Sequence, residues 1–376
     1  MGENGKRRIR LGMVGGGQDS FIGYVHRIAA RLDGEFELVA GALSSRPEVA
    51  RESARLLGIS PERAYTDFEE MARVESGLEN GIEAVAIVTP NHVHFGPAKA
   101  FLEAGIHVIC DKPLTSRLEE ALALAEVVPK NNAKFLLTHN YTGYPLVRQA
   151  REMVAGGLLG NIRVIQVEYP QDWLTEEVHN KQADWRTDPE KSGTGGCVGD
   201  IGTHAYNLLR FVTGLETEAL CADLATFVPG RMLDDNVHIM LRFKGGAKGM
   251  LWASQVAPGN ENALKLRVYG DKGGLEWRQE NPNQMWFSPF GKPRQLITRG
   301  GVPAGGGEGA PVRIPAGHPE GYLEAFATLY SEFAAVIRAE EDGALLPTLG
   351  DGVEGMRFIV AAVTSSNNDS QWTALE

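Results

Sequence analysis

The chain has 376 residues, 48 acidic against 37 basic side chains, a formal net charge of −11 and a hydrophobic share of 43%. At about 150 residues per domain this length implies two to three domains, each able to bury a core without staples, and the acidic balance argues against nucleic acid, which calls for a basic patch. No apolar run approaches the ~18 residues of a membrane span, no signal or lipidation motif opens the chain, and Cys110, Cys197 and Cys221 are too far apart for a disulfide framework or a zinc site. A cytoplasmic protein that holds no metal is expected.

The first 140 residues alternate strand and helix patterns. Strands are expected at Ile9 to Val14, Phe36 to Leu43, Ala84 to Val88, His107 to Cys110 and Lys134 to Thr138. Helices are expected at Phe21 to Leu32, Pro47 to Leu57, Pro97 to Ala104 and Leu118 to Val128. This rhythm predicts an α/β domain over 1–140, with a parallel sheet covered by helices on both faces.

The rhythm changes after residue 140. Helices at Leu146 to Ala155 and Ile201 to Thr213 flank a strand at Arg163 to Tyr169. Strands follow at Ala219 to Phe227, Asn236 to Phe243, Lys248 to Gln255 and Ala263 to Tyr269, with glycine turns at Lys244-Gly245-Gly246 and Gly270 to Gly273. An α+β domain over 141–376, with an open-faced and mainly antiparallel sheet, is predicted. Six glycines between 300 and 309 read as a mobile loop, and a helical pattern resumes at Tyr322 to Ala339.

Gly15-Gly16-Gly17-Gln18-Asp19-Ser20 lies between the first strand and the first helix. A dinucleotide pyrophosphate needs backbone approach without a Cβ, together with the free amides of a helix N-terminus. Gly15, Gly17, Gln18, Ser20, Phe21 and Ile22 are therefore candidate cofactor residues, although Ser20 stands where the strict Gly-x-Gly-x-x-Gly pattern has its third glycine. The second strand runs into Ser44, Ser45 and Arg46, with no acidic residue to hold ribose hydroxyls. That favours a 2′-phosphate and NADP, but leaves NAD open.

Further motifs identify a resemblance. Thr89-Pro90-Asn91-His92-Val93-His94 ends one strand, and Asp111-Lys112-Pro113 ends the next. Trp185-Arg186, Gly193 to Gly196 and Asp200-Ile201-Gly202-Thr203-His204 follow. Together they resemble the Gfo/Idh/MocA oxidoreductases (glucose–fructose oxidoreductase, inositol dehydrogenase and relatives) over nearly the whole chain. The resemblance implies a Rossmann domain, NAD or NADP as cofactor, and a sugar, cyclitol or glycoside as substrate. It also implies a homodimer or homotetramer through the second domain's sheet.

Residue roles follow from the same resemblance. Lys112 and His204 are expected to serve the reacting hydroxyl, His204 as acid/base and Lys112 as a donor to the oxygen. The Lys112-Pro113 bond is expected to be cis. Asp200, four residues before His204 on a helix, shares its face and would orient it or the substrate; an N-cap is the bland alternative. Thr89, Asn91, His94, Asp111 and Asn140 are expected near the cofactor, with Asp111 standing for the family's glutamate and Thr142 for a family arginine. Trp173, Lys181, Trp185, Arg186 and His318 are expected at the substrate, with Tyr322 closing over it; simple aromatic packing is the alternative for Trp173 and Trp185. The substrate is expected between the Rossmann sheet's carboxyl edge and the open sheet. The leading expectation is a dehydrogenase of a secondary hydroxyl. A glycosidase acting by transient oxidation, with Tyr141, Tyr144 or a carboxylate as an extra base, is the alternative, and a non-catalytic regulator comes third.

Overall fold

The structure, a computed structural model, describes residues 6–127, 132–302 and 312–375, with the side chains of 181 and 182 excepted. Most of the glycine-rich loop read between 300 and 309 thus lies outside the described residues. The chain divides into two compact units: Met1–Asn140 with Tyr322–Glu354, and Tyr141–Gly321 with Gly355–Glu376.

The first unit is built on β1 (Ile9–Gly15), α1 (Phe21–Leu32), β2 (Phe36–Ala42), α2 (Pro47–Leu56) and α3 (Phe68–Glu75). It continues through β3 (Ala84–Val88), α4 (Phe95–Glu103), β4 (His107–Cys110), α5 (Leu118–Val127) and β5 (Phe135–Leu137). The five strands are parallel in the order β2-β1-β3-β4-β5. Every residue of β3 is buried, as a central strand covered on both faces requires. The strand order reverses between β1 and β3, where Gly15 pairs with Val88. Open parallel sheets bind ligands outside the strand ends at such a point.

The second unit contains α6 (Pro145–Ala155), β6 (Ile162–Pro170), α7 (Lys181–Arg186) and α8 (Pro189–Ser192). A π turn (Val198–Gly202) then runs straight into α9 (Thr203–Thr213). Seven strands follow: β7 (Thr217–Ala225), β8 (Asn236–Phe243), β9 (Lys248–Ser254), β10 (Lys265–Gly270), β11 (Gly273–Arg278), β12 (Gln284–Pro289) and β13 (Gln295–Thr298). With β14 (Thr373–Ala374) and β6 they form a nine-stranded sheet, β13-β12-β11-β10-β6-β9-β8-β7-β14. Only β6 and β9 pair in parallel.

The sheet's two faces differ because side chains alternate along each strand. Ile165, Val167, Leu251, Ile239, Leu266, Val268 and Trp277 point into the core. The register sets Val164 opposite Tyr269 and Met240 opposite Met250 on the other face, where all four are exposed. Salt bridges Arg267–Glu168 and Lys265–Glu276 lie among them. The open-faced, mainly antiparallel sheet expected from the sequence is present.

Two helices complete the chain, α10 (Tyr322–Ile337) and α11 (Leu349–Asn367). The sequence reading left α10 in the second domain, but it packs on α1 and belongs to the first unit. Phe326, Leu329, Tyr330 and Phe333 join a core with Val25, Phe36 and Ala84. Domain membership here depends on tertiary contact, which an amphipathic pattern does not specify. Tyr322, expected over substrate, stacks on Phe21 with ring centroids 6.4 Å apart.

Candidate active site

The glycine turn of the first unit is closely packed. A Cβ on Gly23 would lie 2.4 Å from the Gly16 Cα, and one on Gly17 would lie 2.7 Å from the Leu43 carbonyl. Gly15 and Gly16 have φ of 75° and 72°, in the left-handed region that favours glycine. Gly17 N–H donates to Leu43 O at 3.2 Å and Gln18 N–H to Ser53 Oγ at 3.0 Å. Those two amides therefore anchor the turn within the protein. Ser20 caps α1 by accepting from Gly23 N–H at 3.2 Å, and the first-turn amides of Phe21 and Ile22 remain for a ligand. Phe21 is 63% exposed.

Two buried polar atoms follow strands of this sheet with no hydrogen-bond partner among the described residues: Thr89 Oγ1 after β3 and Asn140 Nδ2 after β5, on either side of β4. Unsatisfied buried groups are rare and mark ligand positions. With the glycine turn and the amides of α1, they fit a dinucleotide along this edge. Beyond β2, Ser44 Oγ accepts from Arg46 N–H at 3.2 Å, while Ser45 and Arg46 are exposed.

Other predicted cofactor residues turn inward. His94 is buried, with Nδ1 2.8 Å from Pro113 O and Nε2 2.8 Å from Thr89 O. Its ring thus ties the turn after β3 to the Lys112-Pro113 turn. Burial pushes its pKa down, with Asp111 pulling against it. Asp111 Oδ1 accepts from Thr138 Oγ1 at 2.8 Å, and His26 Nε2 stands 3.8 Å away. Burial raises that carboxyl, but His26, Lys112 and Thr138 overcome it and hold it at about 2. Asp111 therefore faces the protein behind Lys112. The Lys112-Pro113 bond is cis, and Asn91 is buried in a short 3-10 turn.

In the second unit, Asp200 lies in the π turn and His204 in the first turn of α9. Asp200 Oδ2 accepts from Arg186 Nε at 3.1 Å and from Gln255 Nε2 at 2.9 Å. Asp200 is therefore clamped from α7 and from the end of β9. The buried His204 ring meets the rings of Tyr141 and Tyr169, with centroids at 4.9 and 6.2 Å. The two phenols lie 2.5 Å apart, and Tyr169 donates to Asn262 Oδ1 at 2.8 Å. Gln171 Nε2 donates to the same oxygen at 2.7 Å, and Trp173 Nε1 donates to Gln171 Oε1 at 2.9 Å.

Trp173 thus joins a polar network beside His204, whereas Trp185 carries the Arg186 guanidinium over its ring at 4.2 Å. Lys181 opens α7, and its side chain is outside the described ones. His318 is exposed and its carbonyl accepts from Arg299. Gln255, Tyr169 and Asn262 escaped the sequence reading. Tyr169 had a signal, since it shares the buried face of β6 with Ile165 and Val167, and a buried phenol needs a partner.

A glycine turn on a parallel sheet, followed by a carboxylate and a histidine at the start of a helix laid on an open sheet, narrows the families sharply. Residues 9–139 match the oxidoreductase family with an NAD-binding Rossmann fold, and residues 147–276 match the GFO/IDH/MocA C-terminal domain. The chain belongs to the Gfo/Idh/MocA family. This oxidoreductase is similar over 98% of its length to the solved structure of an oxidoreductase from Sinorhizobium meliloti, at 57% identity, a TM-score of 0.89 and 99% of that chain. It is also similar to an inositol dehydrogenase homolog from Azotobacter vinelandii solved with NADH and myo-inositol, at 38% identity, a TM-score of 0.90 and 98% of each chain. Levoglucosan dehydrogenase of Pseudarthrobacter phenanthrenivorans is 30% identical over 74% of this chain and 76% of its own. The matched Rossmann family is described as NAD-binding, and the edge described above fits such a cofactor.

Proposed function

We propose that this oxidoreductase is an NAD(P)-dependent dehydrogenase of a secondary hydroxyl on a cyclitol, a sugar or a sugar derivative. The observation that carries the reading is the second unit's constellation: His204 between two tyrosines, with Asp200 clamped by Arg186 and Gln255 one turn before it. Polar side chains at that end of the sheet (Gln171, Asn262, Gln279) suit a polyhydroxylated ligand. Relatives named for inositol and levoglucosan point to the same class.

In this reading the cofactor supplies the hydride acceptor. His204 takes the hydroxyl proton as the C–H bond breaks, Lys112 donates to the oxygen, and Asp200 fixes the geometry around His204. The edge beyond β2 offers Ser44, Ser45 and Arg46 in place of a carboxylate, so NADP is expected to be accepted besides NAD. Burial pushes the Tyr141 phenol up. That weakens Tyr141 as the extra base of a glycosidase route.

The exposed sheet face of Val164, Met240, Met250, Tyr269 and Trp286 is the surface we assign to self-association, as dimer or tetramer, because apolar groups gathered on one face call for a cover. Three cysteines without disulfides agree with a cytoplasmic setting. No helix among the described residues is long and apolar enough to cross a membrane.

The test is to incubate the protein with NAD or NADP against inositols, levoglucosan, aldoses and nitrophenyl glycosides, following reduced cofactor and released phenol in parallel. Reduced cofactor that accumulates with a polyol or sugar supports the reading. Phenol release with no net reduced cofactor overturns it in favour of the glycosidase.

A further inference from the structure

The continuous segment of π turn and α9 that carries Asp200 and His204 is entered through Gly195-Gly196-Cys197, and its first amides would be orphans without outside partners. One residue takes three of them in succession. Gly196 N–H donates to Asp234 Oδ1 at 2.6 Å, Cys197 N–H to the Asp234 carbonyl at 2.8 Å, and Val198 N–H to Asp234 Oδ2 at 2.8 Å. Asp234 comes just before β8, far along the chain, so the cap is supplied by the sheet.

Gly196 permits this approach. A Cβ there would stand 2.3 Å from the Asp234 carbonyl oxygen and 2.8 Å from the Leu233 Cβ. The arrangement also continues toward Asp200. The next residue, Asp235, accepts Gln255 N–H on its carbonyl at 2.8 Å, and the Gln255 side chain is one of the two that clamp Asp200. Asp235 is itself fixed by Phe227 and Val228 N–H and by Arg231. The Asp234-Asp235 pair therefore holds the π turn from its start and, through Gln255, from its side.

Burial pushes the Asp234 carboxyl up to about 6, against the two amides that lower it, and Asp235 pushes the same way. A buried charge retained against such a penalty needs a reason. A hydroxyl or amide cap would close a helix start more cheaply, but neither offers two acceptor oxygens, one to the Gly196 amide and one to the Val198 amide.

We propose that Asp234 is a positioning residue for the oxidoreductase reaction: by gripping the amides of Gly196 to Val198 from the sheet, it sets where Asp200 and the His204 imidazole stand. The inference rests on the proposed roles of those two residues. It assigns Asp234 no contact with substrate or cofactor.

The experiment compares the full-length protein with Asp234→Asn, which keeps the volume but leaves one amide without an acceptor. The His204 ring signal, assigned by its absence in His204→Gln, is followed by NMR through a pH titration. Amide exchange of residues 196–204 is read on the same samples. The expected result is exchange about tenfold faster at Gly196 to Val198, for one lost buried hydrogen bond. A displaced His204 signal and titration should accompany it, with β8 and β9 unchanged. Faster exchange with an unmoved His204 signal would reduce Asp234 to a structural cap and overturn the proposal. Should Asp234→Asn fail to fold, Gly196→Ala strains the same approach from the other side and carries the same readout. Full turnover by His204→Gln would remove the proposed site itself, a separate outcome from an unmoved His204.

Discussion

The two units each contain a glycine-rich segment that leads into a helix, one after β1 and the other after α8, and they use it in opposite ways. At Gly15 to Gly17 the glycines let β1, β2 and α1 meet closely, and the N-terminus of α1 is capped only by Ser20. First-turn amides that the helix itself does not use are what an anion site requires. At Gly195-Gly196 the glycines instead admit the backbone of Asp234, whose carboxylate and carbonyl close the first three amides. That helix start accepts no phosphate; it is made rigid to carry side chains. Similar glycine runs can thus either open a helix end to a ligand or close it with the protein's own carboxylate.

The difference is sharpest at Gly23. Its Cβ would meet Gly16 backbone atoms at 2.4 to 2.9 Å, and neither segment can yield. Gly23→Val should abolish NADH binding in a fluorescence titration and lower stability by about 1–3 kcal/mol. Gly196→Ala is the counterpart: it should lower Tm and disturb the second unit while leaving NADH affinity at the wild-type value. Loss of NADH binding in Gly196→Ala would erase the contrast.

A smaller effect is expected at Gln255. Gln255→Leu leaves Asp200 with Arg186, and kcat should fall about tenfold, the cost of one hydrogen bond to a charged group. KM for the cofactor should stay put. Smaller still is the contribution of Asp111, whose folded pKa of about 2 lies below its ordinary value of 3.8. Its stabilisation is therefore complete above the unfolded value and lost as pH falls toward 2. Thermal unfolding of wild type and Asp111→Asn should differ at neutral pH and converge between about pH 4 and 2. A gap that stays constant with pH would assign the loss to packing alone.

The sequence made the alternating unit readable, because each strand and helix there has its own period and turn residues. It also indicated Asp200 and His204, which stand on one short segment. It did not reveal α11, where Gly350, Gly352 and Gly355 dilute the helical signal, nor β12 and β13, which are short and follow each other closely in a stretch broken by Pro282, Pro289 and Pro293. Asp234 was beyond reach for another reason. Its partners lie 36 and 38 residues away, and only the folded sheet brings them together. His94's scaffold role was likewise out of reach, because its backbone partners Thr89 and Pro113 come together only in the folded sheet.

The roles of Lys112 and His204 are tested most directly by turnover. Wild type, Lys112→Ala and His204→Gln are mixed with NAD or NADP and the polyol that wild type oxidises fastest, and NADH binding is measured alongside. The account predicts that each variant binds NADH but forms reduced cofactor about 100-fold more slowly or worse, the scale of a lost general acid or base. Wild-type rates in either variant would contradict it.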